Sequence, residues 1–183
     1  MACTWQQGKL KKDTIVATVM SNLGFYLMAK EQGLNIEQTK VGDRYVLERM
    51  REIDASLGGE QSGHVIFLEE NTTGDGLLSA LHLLEVMVDT GKPLSELASI
   101  MSVMPQALIN AKVPTHKKDK YMEYPEIAKA IEELEAKFAG EGRVLIRPSG
   151  TEPKVRVMIE GKDQAVIEQE ARKLADLIQN TML

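Results

Sequence analysis

The chain has 183 residues, which at roughly 150 residues per domain allows one large domain or two small ones. Hydrophobic residues make up 43% and charged residues 27%, a globular mix that excludes disorder and collagen-like repeats. Twenty-two Lys and Arg against 27 Asp and Glu leave a net charge of −5, a poor balance for nonspecific nucleic-acid binding through phosphate neutralisation. The single cysteine, Cys3, has no partner for a disulfide or a Cys-based metal site, and His64, His82 and His116 match no zinc spacing. No apolar stretch approaches the ~20 residues that cross a bilayer, and no basic segment followed by an apolar one suggests a secretory signal. A soluble, cytoplasmic, disulfide-free protein that engages neither nucleic acid nor membrane is expected.

Residues 1–9 carry no period and read as a frayed leader. From Thr14 to Met20 a β-branched apolar run predicts a buried strand. Ser21 and Asn22 then offer caps for a helix running to about Gln32, with Gly33 as its stop. Residues 38–41 predict a short strand, and Asp43 the N-cap of a helix to about Ile53. Residues 55–57 and 65–68 predict two more strands around the loop Gly58-Gly59-Glu60-Gln61-Ser62-Gly63-His64. Asp75 should cap a long helix whose stripe is Leu77, Leu81, Leu84 and Val88, spaced i, i+4, i+7, i+11. Gly91 ends it, and Pro93 opens a shorter helix through about Met101.

Strands alternating with helices to this point indicate an α/β domain, a mixed sheet with helices on both faces, over residues 1–103. Beyond it the pattern changes. Residues 107–113 predict a strand, and 114–120 a polar segment. Ile127, Ile131, Leu134 and Phe138 mark one face of a helix. Residues 144–146 and 155–159 predict strands, and Ile167, Ala171, Leu174 and Ile178 mark a last helix from about Asp163. This order predicts a small α+β domain over residues 104–183, an antiparallel sheet with two helices.

Two loops could carry chemistry. Arg147-Pro148-Ser149-Gly150-Thr151-Glu152-Pro153 lies at the tip of a predicted hairpin, within a cluster of Arg143, Arg147, Lys154 and Arg156. Arg147 offers a planar fork for phosphate oxygens, Ser149 and Thr151 offer hydroxyls, and Gly150 permits an unusual backbone conformation or close approach. Successive amides in such a turn form an anion nest. An ordinary solvated turn would use the same residue types, so both readings stand. In the loop 58–64, Glu60 can accept from two hydroxyls of a diol, Ser62 can donate or accept, and His64 can donate or carry a proton. The glycines let backbone approach a ligand. A surface loop with a solvated Glu60 is the alternative. Asp43 and Asp75 are best explained as helix caps, with Arg44 free to reach an anion.

The pair Gly59-Glu60-Gln61-Ser62-Gly63-His64 and Arg147-Pro148-Ser149-Gly150-Thr151-Glu152-Pro153, with the opening Thr14-Ile15-Val16-Ala17-Thr18-Val19-Met20-Ser21-Asn22-Leu23-Gly24, resembles the α-D-phosphohexomutase superfamily, most of all its hexosamine branch of peptidoglycan precursor synthesis. The resemblance covers the chain from about Lys9 onward and implies the last two of four domains, the third without the helix that should precede Lys9. It implies that Glu60, Ser62 and His64 bind the sugar, that Arg147, Ser149, Gly150 and Thr151 hold the phosphate not being transferred, and that the two bends face one cavity. It also implies an intramolecular phosphotransferase, an isomerase working through a phosphoserine and a sugar bisphosphate. Neither the Ser-His-Asn-Pro nucleophile loop nor the Asp-x-Asp-x-Asp magnesium loop occurs here, so this chain should hold no catalytic residue and no Mg2+, and should be inactive alone. Its expected partners are a hexosamine phosphate and the N-terminal domains of the same enzyme, and surfaces those domains cover should favour self-association. A mannose or glucose phosphate mutase, or a noncatalytic sugar-phosphate module, are the competing expectations.

Overall fold

The computed structural model describes Gly8 and residues 10–183; Cys3 and most of the leader lie outside the described residues. By its internal contacts the chain divides into two compact units, Met1–Val103 and Met104–Leu183.

The first unit is a mixed sheet with helices on both faces. β1 (Thr14–Thr18) pairs in parallel with β2 (Asn35–Thr39) and with β3 (Leu57–Gly59), and β3 pairs antiparallel with β4 (Val65–Phe67), giving the order β2-β1-β3-β4. α1 (Leu23–Glu31) is capped by Asn22, whose side chain accepts the Gly24 amide, and the chain turns out of it at Gly33, φ +73°. α2 (Asp43–Ile53) follows. Alternate residues of β1 face opposite sides: Ile15 joins Leu10, Ala29, Leu34 and Leu57 on the α1 side, while Val16 joins Val46, Met50, Ala55 and Ile66 on the α2 side. α3 (Gly76–Thr90) and the short α4 (Leu94–Ala98) close the unit.

Three expectations need correction here. β2 begins at Asn35, three residues before the predicted strand, because its register is set by pairing with β1 from Thr14 onward. Asp43 is the first helical residue rather than the cap: Gly42 holds that place at φ +133°, and Asp43 accepts the Arg44 amide at 2.8 Å. Gly58 and Gly59 belong to β3 rather than to the loop. A Cβ on Gly58 would stand 2.5 Å from the Met50 sulfur and 2.8 Å from Val46, so this glycine lets α2 lie close on the sheet. Overpacking of this kind costs about 1–3 kcal/mol.

In the second unit β5 (Gln106–Lys112), β7 (Lys154–Glu160) and β6 (Arg143–Pro148) form an antiparallel sheet in that order. α5 (Pro125–Phe138) and α6 (Gln164–Met182), the latter capped by Asp163, pack their predicted stripes on it, and all eight stripe residues are buried. Glu160 is wholly buried, its carboxylate paired with Arg143 at 2.6 Å and hydrogen-bonded by Gln106 at 3.1 Å. A buried charge survives only when satisfied in this way.

The α3 stripe breaks the expectation most sharply. Leu77, Leu81, Leu84 and Val88 are 73%, 56%, 55% and 81% exposed, and no residue of this helix is buried. Periodicity identified the helix correctly but not a partner for it.

Candidate functional site

The β3–β4 hairpin carries the first candidate residues. The Glu60 amide donates to the His64 carbonyl at 3.0 Å and the Gly63 amide to the Glu60 carbonyl at 3.1 Å, with Gly63 at φ +102° closing the turn. A Cβ on Gly59 would stand 2.7 Å from the His64 carbonyl, so this glycine serves the hairpin. The Glu60 side chain is only 10% exposed and accepts the Gly42 amide at 3.2 Å. That amide lies at the start of α2, where orphan N–H groups favour a carboxylate. The solvated Glu60 of the surface-loop reading is therefore overturned. Ser62 Oγ and His64 Nδ1 lie 3.2 Å apart, and His64 Nδ1 is 3.6 Å from Glu60 Oε1. An oriented carboxylate, a hydroxyl and a half-exposed imidazole thus sit together on one turn, an acceptor–donor set suited to sugar hydroxyls.

The β6–β7 hairpin holds the second set. The Ser149 amide donates to the Lys154 carbonyl at 2.9 Å, and the Glu152 amide donates to Ser149 Oγ at 3.3 Å. Ser149 is 2% exposed, so its hydroxyl also braces the turn. Gly150 and Thr151 are exposed at the tip. Gly150 has no positive φ and nothing within 4 Å of a built Cβ, so conformation does not demand glycine there; the open space over its backbone does admit a close ligand.

Arg147 and Arg156 are cross-strand partners in the β6–β7 ladder. The Nε atoms of both are buried without a hydrogen-bond partner. Burial, reinforced by the charge of Arg156, pulls the Arg147 pKa below its ordinary value. Like charges in register destabilise a sheet, and an unpaired buried donor costs more. An anion between the guanidinium groups would answer both costs.

The other basic residues of the sequence cluster are engaged. Arg143 binds Glu160, and Lys154 binds Glu152 at 2.8 Å. Arg156 also reaches Glu152 at 3.2 Å, and these two cations hold the Glu152 carboxyl below the usual range, chiefly through the Lys154 hydrogen bond.

Sequence reasoning counted Arg156 only as local charge and missed Lys118 and Tyr121. Lys118 Nζ donates to the Ser149 carbonyl and, at 3.1 Å, to that of Gly150; Tyr121 donates to the Ile146 carbonyl at 3.2 Å. Both lie on a 3₁₀ turn, Lys118–Glu123, that braces the hairpin from behind. The polar segment Lys117-Lys118-Asp119-Lys120 beside an apolar Tyr121 was the only available signal. Asp75 caps α3, accepting the Leu77 and Leu78 amides at 2.9 and 3.0 Å, and Arg44 pairs with Glu48 at 2.7 Å rather than remaining available to an anion. Among the described residues no three His, Cys, Asp or Glu side chains form a metal cluster, and no helix is long and apolar enough to cross a membrane.

Comparison with known proteins places this geometry. Residues 1–104 match the family model described as phosphoglucomutase/phosphomannomutase, alpha/beta/alpha domain III, and residues 108–177 match the C-terminal domain of the same family. The phosphoglucosamine mutase of Ruminiclostridium cellulolyticum is 61% identical over 176 residues, and that of Acetivibrio thermocellus 60% over 177. These alignments cover 96% and 97% of this chain but 39% of each relative. Among solved structures, Aspergillus fumigatus N-acetylphosphoglucosamine mutase in complex with GlcNAc-6P and magnesium superposes with a TM-score of 0.77 at 18% identity, covering 98% of this chain and 41% of that one. The chain belongs to the phosphoglucomutase/phosphomannomutase family of phosphohexomutases and spans its third and C-terminal domains.

Proposed function

We propose that the chain supplies the substrate-holding part of a phosphoglucosamine mutase, an isomerase of glucosamine 6-phosphate and glucosamine 1-phosphate. The observation that carries this is the facing pair Arg147 and Arg156, with buried unpaired Nε atoms beside an open glycine. Relatives of about 60% identity bearing that name support the hexosamine class. Arg147 and Arg156 clamp the phosphate ester, assisted by the Gly150 and Thr151 backbone, while Ser149 and Lys118 hold the turn in shape. Glu60 accepts from sugar hydroxyls, with Ser62 and His64 beside it. A competing mutase of mannose or glucose phosphates would use the same clamp and differ at Glu60-Gln61-Ser62.

Phosphoryl transfer through a loose transition state depends on positioning and charge stabilisation, so a rigid clamp contributes without forming or breaking a bond. The residues present do not fit magnesium: Asp43 and Asp75 are engaged with helix amides, and no cluster of three ligands forms among the described residues. The remaining enzyme would supply nucleophile and metal, in a cytoplasmic setting where sugar phosphates are available.

The test mixes this chain with the preceding portion of the R. cellulolyticum relative. Interconversion of the two glucosamine phosphates by the mixture, and none by the chain alone, is expected. Turnover by the chain alone, or a mixture that stays inactive although the two pieces associate, would refute the proposal.

A further inference from the structure

Glu152 is the only acidic residue between Arg143 and Arg156, and it stands on the hairpin tip that carries the anion site. Its backbone shapes the turn: the amide donates to Ser149 Oγ at 3.3 Å, and the carbonyl accepts the Lys154 amide at 2.8 Å. Neither contact needs a carboxylate. The side chain has a different task. Its Oε2 pairs with Lys154 Nζ at 2.8 Å and with Arg156 Nη2 at 3.2 Å. A charge-assisted N–H···O bond is ordinarily about 2.7–2.9 Å long, and a guanidinium meets an oxyanion best through two parallel bonds. The Arg156 contact is long and single, and Arg156 Nε stays without a partner. Glu152 is thus anchored by the lysine and rests lightly on the arginine.

We infer that the Glu152 carboxylate is a displaceable counter-ion of the phosphate clamp, neutralising Arg156 in part between ligands and yielding it to an arriving phosphate. The inference rests on the proposed phosphate role of Arg147 and Arg156, and it adds what governs release. Those two arginines are cross-strand partners, so without an anion their like charges oppose each other. One carboxylate relieves part of that opposition. A phosphate ester brings more charge and three acceptor oxygens, and it can engage the edge of the guanidinium that Glu152 leaves open. Lys154 then keeps the displaced carboxylate close by, ready to return to Arg156 as the phosphate departs.

Release matters to the proposed reaction. An isomerase that works through a bisphosphate holds first one phosphate and then the other, so its clamp has to let go as well as grip. Binding the ground state more tightly would not by itself raise turnover. A built-in competitor of single charge, tethered one residue from the strand that carries Arg156, keeps the grip exchangeable.

The test titrates the 183-residue chain with inorganic phosphate by calorimetry at about 0.1 M salt. Glu152→Gln keeps the side-chain length and both backbone contacts and removes only the charge. It should bind phosphate about three- to fivefold more tightly than wild type, the modest scale of a half-exposed ion pair. A damaged turn would not bind more tightly. The gain should shrink toward 1 M salt, as the screening length falls from about 10 to about 3 Å. Glu141→Gln removes the same net charge at the far end of the sheet, where Glu141 pairs with Lys162 at 3.1 Å. That site lies roughly 20 Å from the tip along β6, and its variant should bind as wild type does. In the unsubstituted chain, carbon NMR of the Glu152 carboxylate should shift as phosphate saturates the site.

Weaker binding by Glu152→Gln would overturn the inference, because Glu152 would then be orienting Arg156 for the ligand. Unchanged affinity, an equal gain in Glu141→Gln, a gain that persists undiminished at 1 M salt, or a Glu152 carboxylate that does not respond to phosphate would overturn it too. Each of these leaves the proposed function standing if the wild type binds phosphate and Arg147→Met weakens that binding. Phosphate binding by neither wild type nor Glu152→Gln would sink both.

Discussion

Replacing Arg147 with Met should make the second unit more stable and a worse phosphate binder at once. Met keeps much of the apolar stem while removing the guanidinium. The structure gives two destabilising contributions that disappear: a like charge in register with Arg156, about 0.2–1 kcal/mol, and a buried Nε without a partner, about 1–3 kcal/mol. Lost contacts of the longer side chain offset part of this, leaving a gain of about 1 kcal/mol. For a domain of this size that raises the melting temperature by about 4–8 °C. Loss of a charge-assisted contact costs about 1.5–3 kcal/mol of phosphate affinity, roughly 10- to 150-fold. With phosphate at 100 times the wild-type Kd, the wild type gains about 2.7 kcal/mol, whereas a variant binding 100-fold more weakly gains about 0.4. The melting order should therefore reverse: the variant melts higher in phosphate-free buffer and the wild type higher in phosphate. Calorimetry of the phosphate-sensitive transition measures this directly. A variant destabilised by more than about 1 kcal/mol without phosphate, or equal upward shifts in both proteins, would refute the reasoning.

Two helices with the same apolar spacing should respond oppositely to truncation. Ile127→Ala, at a fully buried site on α5, should cost about 2–5 kcal/mol by denaturant unfolding, whereas Leu81→Ala on the exposed face of α3 should stay within about 0.5 kcal/mol. Glu170 is held by Lys137 at 2.9 Å and Lys173 at 3.1 Å, and the Lys137 hydrogen bond chiefly lowers its pKa. A depressed carboxylate stabilises the fold above its unfolded value of about 4.3 and loses that contribution as pH falls through the folded value. Glu170→Gln should thus be less stable than wild type at neutral pH, with the difference shrinking as pH falls below the unfolded value in pH-dependent melts. Lys118→Met, which removes two ties to loop carbonyls, should weaken phosphate binding by calorimetric titration while Lys112→Met, at an exposed strand position, leaves it unchanged.

Much of the fold was legible because each stripe had one period and one partner. The α5 and α6 stripes pack as their spacing requires, and Asn22, Asp75 and Asp163 cap helices as their chemistry suggests. The α3 stripe was equally regular, but periodicity reports that a face is apolar and not what covers it. Gly58 and Gly59 looked like loop residues because composition cannot distinguish a glycine that turns the chain from one that lets a helix lie close on a strand. Within the candidate site, Arg147 and Glu60 were visible from their motifs. Arg156 and Lys118 were not singled out, because their relevance lies in cross-strand register and in a contact 31 residues away. Arg143 looked available until Glu160, buried across the sheet, engaged it.

The central claim is met most directly by amide NMR of the 183-residue chain titrated with glucosamine 6-phosphate and, separately, with inorganic phosphate. Saturable shifts of Gly150 and Thr151 with both ligands, and of Glu60 and Ser62 with the sugar phosphate only, are predicted. Shifts confined to other residues, or none at concentrations that saturate an intact phosphohexomutase, would contradict it.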